Sequence, residues 1–303
     1  YGLNYSFSEH RPPYIADTIT ALATPENTEA DKKEFLQMLN NWKQKQNSDT
    51  PVIFILNVSG GGLRSAAFVM NVLQHLDSST QGQFMKHTVL ISGASGGMLG
   101  ASYFRELYLR KSNDANIDIN SHKYLNNISE DLLNPLFSTM VSRDLMGPVQ
   151  KFTYNGYEYR KDRGYAFEQK LNQNTKGVLN KKIGAYLQPE MSAQIPAIIF
   201  SPASTRDGRQ MIISTHPARF LMQPASDSFN NDVRICDAID FNSFFKQLGS
   251  DSLSFLSALR MNATFPYVLP NVWLPTSPSA DFMDAGVRDN TGAQISMRFI
   301  STF

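Results

Sequence analysis

The feature that most constrains this chain occurs twice: a short apolar run, a glycine-rich break, then apolar residues at helical spacing. In the first copy, Pro51-Val-Ile-Phe-Ile-Leu-Asn-Val58 is short, continuous and rich in β-branched and aromatic residues, the pattern of a strand buried on both faces. Ser59-Gly60-Gly61-Gly62 breaks it. From Leu63 onward Ala66, Ala67, Met70, Leu73 and Leu76 recur at helical spacing. The second copy is Thr88-Val-Leu-Ile-Ser92, the turn Gly93-Ala-Ser-Gly-Gly97, and a helix over 98–110. Two β-turn-α units in succession predict an α/β fold with a mostly parallel central sheet and helices on both faces. In such sheets ligands collect beyond the carboxyl ends of the strands, so both turns are expected at that edge.

Composition narrows the function classes. At 303 residues, 42% hydrophobic and 18% charged, the chain can bury one large core or two modest ones. Lys plus Arg number 28 against 27 for Asp plus Glu. A net charge of +1 supplies no field to gather a phosphate backbone, so nucleic acid is set aside as a partner. The single cysteine, Cys236, excludes an internal disulfide and, with no His/Cys cluster, a thiolate metal site; it reads as a small buried apolar residue. Neither metal nor cofactor is expected. No apolar run reaches the roughly 18 residues that a spanning helix needs. The chain opens at Tyr1 without a basic-then-apolar leader and stops 19 residues after Asp284, so it is expected to be a piece of something longer, cytoplasmic or peripheral to a membrane.

Elsewhere the pattern is plainer. Residues 1–50 read as a surface segment with a helix over 29–45, and 51–303 as the main domain, with an insertion at about 111–165. Further strands are expected at 195–200 and 210–214. A helix over 253–261 is stopped by Pro266, after which Pro270, Pro275 and Pro278 enforce extended loops up to Asp284-Ala285-Gly286.

The chemistry starts at Gly93-x-Ser95-x-Gly97. A serine at a sharp strand-to-helix turn projects its hydroxyl into the cleft, and flanking glycines let a substrate carbonyl come close. Three fixed positions arise by chance on the order of 0.1 times in a chain this long, so the flanking strand and helix carry much of the weight. Acyl transfer needs donors for a developing oxyanion. Gly60, Gly61 and Gly62, ahead of a helix N-terminus, offer backbone N–H groups for it. A phosphate cradle would look similar, but the Gly-Lys-Ser/Thr ending of a P-loop and the GxGxxG spacing of a dinucleotide site are both missing.

A Ser-His-Asp triad on an α/β-hydrolase sheet would need a histidine late in the chain. Only His122 and His216 follow Ser95, and neither stands in a marked loop. Asp284, in a short turn after a proline-rich approach, can present a carboxylate at the sheet edge, and burial can raise its pKa toward working pH.

Taken in order, Ser59-Gly60-Gly61-Gly62-Leu63-Arg64, the Gly93-x-Ser95-x-Gly97 turn and Asp284-Ala285-Gly286 resemble the three signature elements of patatin-like phospholipases and the related cytosolic phospholipase A2 group. The likeness covers about residues 51–292. Softer echoes are Asp162-Arg163-Gly164, the 196–208 stretch and Asn262-Ala263-Thr264-Phe265-Pro266. Ala285 stands where the base triplet more commonly has glycine, as in the cytosolic phospholipase branch. The resemblance implies a three-layer fold and a Ser-Asp dyad without histidine. Ser95 is then the acyl acceptor and Asp284 its base; Gly61 and Gly62 are oxyanion donors, and Gly60 and Arg64 complete their loop. A lipid or phospholipid ester is the implied substrate. A catalytically silent lipid-binding module and a triad using His122 or His216 remain the alternatives.

Between residues 130 and 146 apolar pairs recur every four residues: Leu132/Leu133, Leu136/Phe137, Met140/Val141, then Leu145/Met146. Such a helical stripe either packs on the core or covers the cleft as a cap that opens at a lipid surface.

Overall fold

The computed structural model describes residues 1–6, 8–224 and 235–303. Both β-turn-α units form where the sequence places them. Strand β1 (Phe54–Val58) leads through the tri-glycine turn into the helix Gly62–Ser79, and β2 (Thr88–Gly93) into the helix Ser95–Asn113. Two shorter helices follow, His122–Ser129 and Leu133–Thr139, then a hairpin of β3 (Lys151–Tyr154) and β4 (Tyr157–Arg160) and the helix Arg163–Asn174. The second half holds β5 (Ala197–Phe200), β6 (Ala203–Ser204), β7 (Gln210–Ile212) and β8 (Ala238–Asp240). The helix Phe255–Asn262, β9 (Val272–Leu274), β10 (Ala280–Met283) and the helix Ala293–Ile300 close the chain.

Strands β1, β2 and β5 pair in parallel in that spatial order, with Val58 opposite Gly93 and Gly93 opposite Phe200. Their carboxyl ends are therefore level, and the turns after β1 and β2 lie side by side at one edge. A two-way hydrogen bond between Phe200 and Ile213 joins this layer to a second sheet ordered β8-β7-β6-β10-β9. There only β7 and β8 run parallel; the other neighbours are antiparallel. The parallel expectation thus describes the layer that carries the two turns, and the β3–β4 hairpin was not foreseen.

Strand β2 is central and wholly buried. By contrast β1 is an edge strand in which only Val58 is fully buried, and Val52 and Ile53 ahead of it are exposed. A continuous apolar run does not by itself separate a central strand from an edge strand, which is why the buried reading of 51–58 fails.

Side chains alternate across the sheet into two cores. Ile91, Ile198 and Phe200 pack with Ala66, Met70, Leu73 and Met98 of the two helices that leave the turns. Leu90, Ala197 and Ile199 pack on the other face with Phe35, Met38 and Trp42, and with Ile295 and Phe299. The result is three layers.

Phe35, Met38 and Trp42 belong to the helix Pro25–Gln44, which starts four residues earlier than expected because Pro25 occupies its first position and Thr24 caps the Asn27 N–H at 3.2 Å. Residues 1–50 are therefore not a surface segment. Their i, i+3, i+7 apolar positions form one of the three layers, Leu3, Tyr14 and Ile19 join the opposite core, and Asp31 pairs with Arg219 at 2.6 Å.

The 130–146 stripe divides. Leu132 and Leu136 are buried while Leu133, Phe137, Val141, Leu145 and Met146 are exposed. The helix ends at Thr139 and widens into a π-turn over Met140–Leu145, which rotates the later pairs off the core-facing side.

Candidate active site

At the carboxyl edge of β2 the chain must reverse from strand into helix within two residues. Ser95 makes the reversal with φ +49°, a left-handed conformation that a side-chain-bearing residue adopts only where its surroundings hold it. Ser95 is half-buried. The glycines after it are required by close approach. A Cβ on Gly97 would collide with the Ser59 carbonyl oxygen and one on Gly96 with that of Gly62, so the tri-glycine loop lies directly against the serine turn.

That loop presents its donors unequally. The Gly60 N–H donates to the Asn290 carbonyl at 2.9 Å and is already engaged. The Gly61 and Gly62 N–H groups, at the start of the helix, make no hydrogen bond to another described residue. Both glycines have positive φ, and a Cβ on Gly62 would meet nothing within 4 Å, so this rim is open. Ser65 Oγ donates to the Ser59 carbonyl at 2.6 Å and clips the loop to its own helix. Arg64 is exposed, and no described acidic group pairs with it.

Asp284 follows β10 and is buried. Its N–H donates to the Thr264 carbonyl at 2.9 Å, and its Oδ1 accepts from the Gly286 N–H at 2.8 Å. Burial pushes the carboxyl above the usual aspartate range, opposed by the Gly286 N–H and by the Ser95 hydroxyl, which stands close enough to stabilise the anion. Oδ2 nonetheless makes no hydrogen bond of regular geometry. The Ser95 hydroxyl is thus near the carboxylate without a hydrogen bond of regular geometry to Oδ2.

Three positioning residues lie behind this pair. Asn262 is fully buried; its Nδ2 donates to the Gly93 carbonyl at 3.1 Å and its Oδ1 accepts from the Ser201 N–H at 2.8 Å. Two residues on, Thr264 receives the Asp284 N–H. One short segment therefore fixes the backbone of both candidate catalytic residues. Sequence reading noted this segment without giving it a role. It missed Asn290, which accepts from Gly60 and places its side-chain oxygen in the space before Gly60 and Gly286, joining the loop to the aspartate turn. Its sequence signal was its place four residues after Gly286.

Neither histidine after Ser95 joins the site. His216 is buried on the opposite face of the sheet, edge-on to Phe35 and beside Thr215 Oγ1, and burial lowers its pKa to about 4. His122 is exposed at the start of its helix. Among the described residues no cluster of His, Cys, Asp or Glu is placed to hold a metal ion.

Residues 56–297 match the family model of the patatin-like phospholipases, most of the chain and all of this site. The chain belongs to that family. No single curated protein matches it. Patatin-like phospholipases hydrolyse lipid esters, and the three-layer α/β fold with its parallel β1-β2-β5 core agrees with membership. No helix among the described residues is long and apolar enough to cross a membrane.

Proposed function

We propose that this patatin-like protein is a serine acyl hydrolase acting on lipid or phospholipid esters through a Ser95–Asp284 dyad. The observation that carries the reading is the pairing of a serine held at φ +49° with a buried carboxyl of raised pKa that feels its hydroxyl. Ser95 Oγ attacks the ester carbonyl carbon as its proton passes to Asp284 Oδ2, the carboxylate oxygen without a regular partner. The Gly61 and Gly62 N–H groups receive the oxyanion, assisted by the positive end of their helix. Collapse breaks the ester C–O bond, and Asp284 returns the proton to the departing alcohol. Water then attacks the acyl-serine, gives a proton to Asp284, and the fatty acid leaves as Ser95 regains its hydrogen. The raised pKa suits this alternation, since a carboxyl nearer neutrality both accepts and returns a proton. Arg64, exposed beside the loop, is available to an anionic headgroup, and the substrate is met at a membrane periphery.

A fluorophosphonate probe followed by peptide mapping tests the reading. Labelling at Ser95, absent in Ser95→Ala and strongly slowed in Asp284→Asn, is expected. Folded protein that leaves the probe untouched would instead be a lipid-binding module without turnover.

A further inference from the structure

We infer that the surface formed by the Met140–Leu145 turn and the Phe265–Tyr267 loop docks onto an anionic lipid surface and sets the active-site edge against it. The inference takes the nature of that surface from the lipid-ester reading above; the surface itself stands on independent geometry. Arg163 ties the two segments together. Its Nε donates to Asp144 at 2.6 Å, and its Nη1 to the carbonyls of Tyr267 at 3.0 Å and Val268 at 3.3 Å. What this clamp gathers is apolar and uncovered: Phe137, Val141, Leu145 (71% exposed), Met146 (83%), Phe265 (62%) and Tyr267 (95%). Single exposed apolar residues need no explanation, but a group gathered around one half-buried arginine does.

Tyr267 adds a separate sign. Its backbone is left-handed at φ +68°, a conformation uncommon for a bulky residue, yet its ring is almost wholly in water. The chain strains to present the side chain outward, and an aromatic ring with a polar tip suits the boundary between acyl chains and headgroups. Phe265 directly follows Thr264, which holds Asp284 through its carbonyl, so the surface is continuous with the dyad's own support.

Charge selects the kind of lipid. Asp144 is taken by Arg163, and Glu158 by Lys151 at 2.9 Å. Arg143, inside the turn, has no acidic partner among the described residues. Neither has Lys161, whose N–H bonds the Gln150 carbonyl next to exposed Val149. Among the described residues Arg143 and Lys161 are left as unpaired cations beside the apolar surface, while exposed Asp131, bonded to the Leu133 and Asn134 N–H groups, lies at the far end of the Leu133–Thr139 helix; the cations favour anionic headgroups.

Docking is measured on Ser95→Ala, which cannot consume the bilayer, by co-sedimentation with phosphatidylcholine vesicles with and without phosphatidylglycerol. Binding should be stronger with phosphatidylglycerol. Combined Leu145→Ser and Met146→Ser should weaken it about tenfold or more, and Arg143→Gln with Lys161→Gln should remove the preference for the anionic lipid. In a second variant, Met146→Trp, the indole emission should shift to the blue when vesicles are added. Unchanged sedimentation of the Ser pair, or an indole that stays in water while the protein binds, overturns the inference. Vesicle binding that persists in a protein inert toward soluble esters would sink the hydrolase reading and leave the docking surface standing.

Discussion

Gly96→Ala separates possession of the nucleophile from possession of the oxyanion site. Gly96 has ordinary helical backbone, and in the helix itself alanine is better by roughly 0.5–1 kcal/mol. The obstacle is across the gap: the new Cβ would fall 1.8 Å from the Gly62 carbonyl oxygen and 2.5 Å from its carbon, where real Cβ atoms essentially never come within 3.0 Å. The loop and the serine turn must separate by more than an ångström. The serine turn is built into central β2 and held by Asn262, whereas Gly61 and Gly62 are exposed and the space before Gly62 is open. The loop therefore yields and carries its two free N–H groups away from the oxyanion. Losing one such donor costs about 10²–10³ in kcat, or roughly 3–4 kcal/mol, and a displacement of about 1 Å alone costs on the order of 10². Gly96→Ala should thus lower kcat on a soluble p-nitrophenyl ester by at least about 10²-fold, with the thermal midpoint lowered modestly and Ser95 still present. The assay pairs ester hydrolysis with a melting curve. Activity within a few fold of wild type would refute the placement of Gly61 and Gly62 as oxyanion donors. Loss of both fold and activity would mean that the serine turn, not the loop, gives way.

Ser95→Ala should abolish ester hydrolysis with the fold intact, and Asp284→Asn should be nearly as damaging; steady-state kinetics beside circular dichroism decides both, and turnover above a few per cent would point to another nucleophile or base. Because burial raises the Asp284 pKa and the base works ionised, kcat/KM for a soluble ester should fall on acidification through an apparent pKa above that of an ordinary aspartate, and His216→Ala should leave that limb in place. The same shift has a stability sign: its contribution to folding is present below the ordinary aspartate pKa and lost as pH rises through the folded value, so Asp284→Asn should melt no earlier than wild type at neutral pH. Arg105→Met leaves the buried Glu190 carboxyl, now ion-paired with Arg105, without its cation and should cost about 3–5 kcal/mol in denaturant unfolding; a cost near zero would show that Glu190 is neutral in the native state.

The layer that carries the candidate site was legible because its signals are local. Thr88–Gly93 is a central strand with a continuous apolar run, and the glycines of Gly93-x-Ser95-x-Gly97 are required within a few residues of each other. What escaped was set by packing between distant segments. Nothing in 29–45 states which face it will cover, yet Phe35, Met38 and Trp42 close one side of the sheet. Likewise 51–58 reads as doubly buried, because whether a third strand pairs beyond it is decided elsewhere in the chain. The 130–146 stripe was visible as spacing, but which member of each pair faces the core, and the π-turn that follows Thr139, have no signature in its composition.

The candidate reactive residues could be named from the sequence and their supports could not, and the reason bears on how the proposed two-residue dyad would work. In a Ser-His-Asp triad the imidazole reaches across the gap, so serine and acid can be mounted some distance apart. With Asp284 as the base, no intermediary absorbs an error in backbone position; the serine turn and the aspartate turn must be registered directly. Here the registration runs through main-chain atoms: Asn262 grips the Gly93 carbonyl, Thr264 two residues later accepts from the Asp284 N–H, and the Asn290 carbonyl fixes Gly60. Asn262→Ala removes the first of these while leaving Ser95 and Asp284 untouched, and strands the Gly93 carbonyl and the Ser201 N–H in a buried place at a cost of about 1–3 kcal/mol for the unsatisfied groups. If direct registration is what matters, kcat should fall by an order of magnitude or more beyond what the loss of stability explains, with KM for a small ester little changed, since the defect lies in the attack and not in binding. Wild-type kcat in a folded Asn262→Ala protein would show that the dyad keeps its alignment without the asparagine.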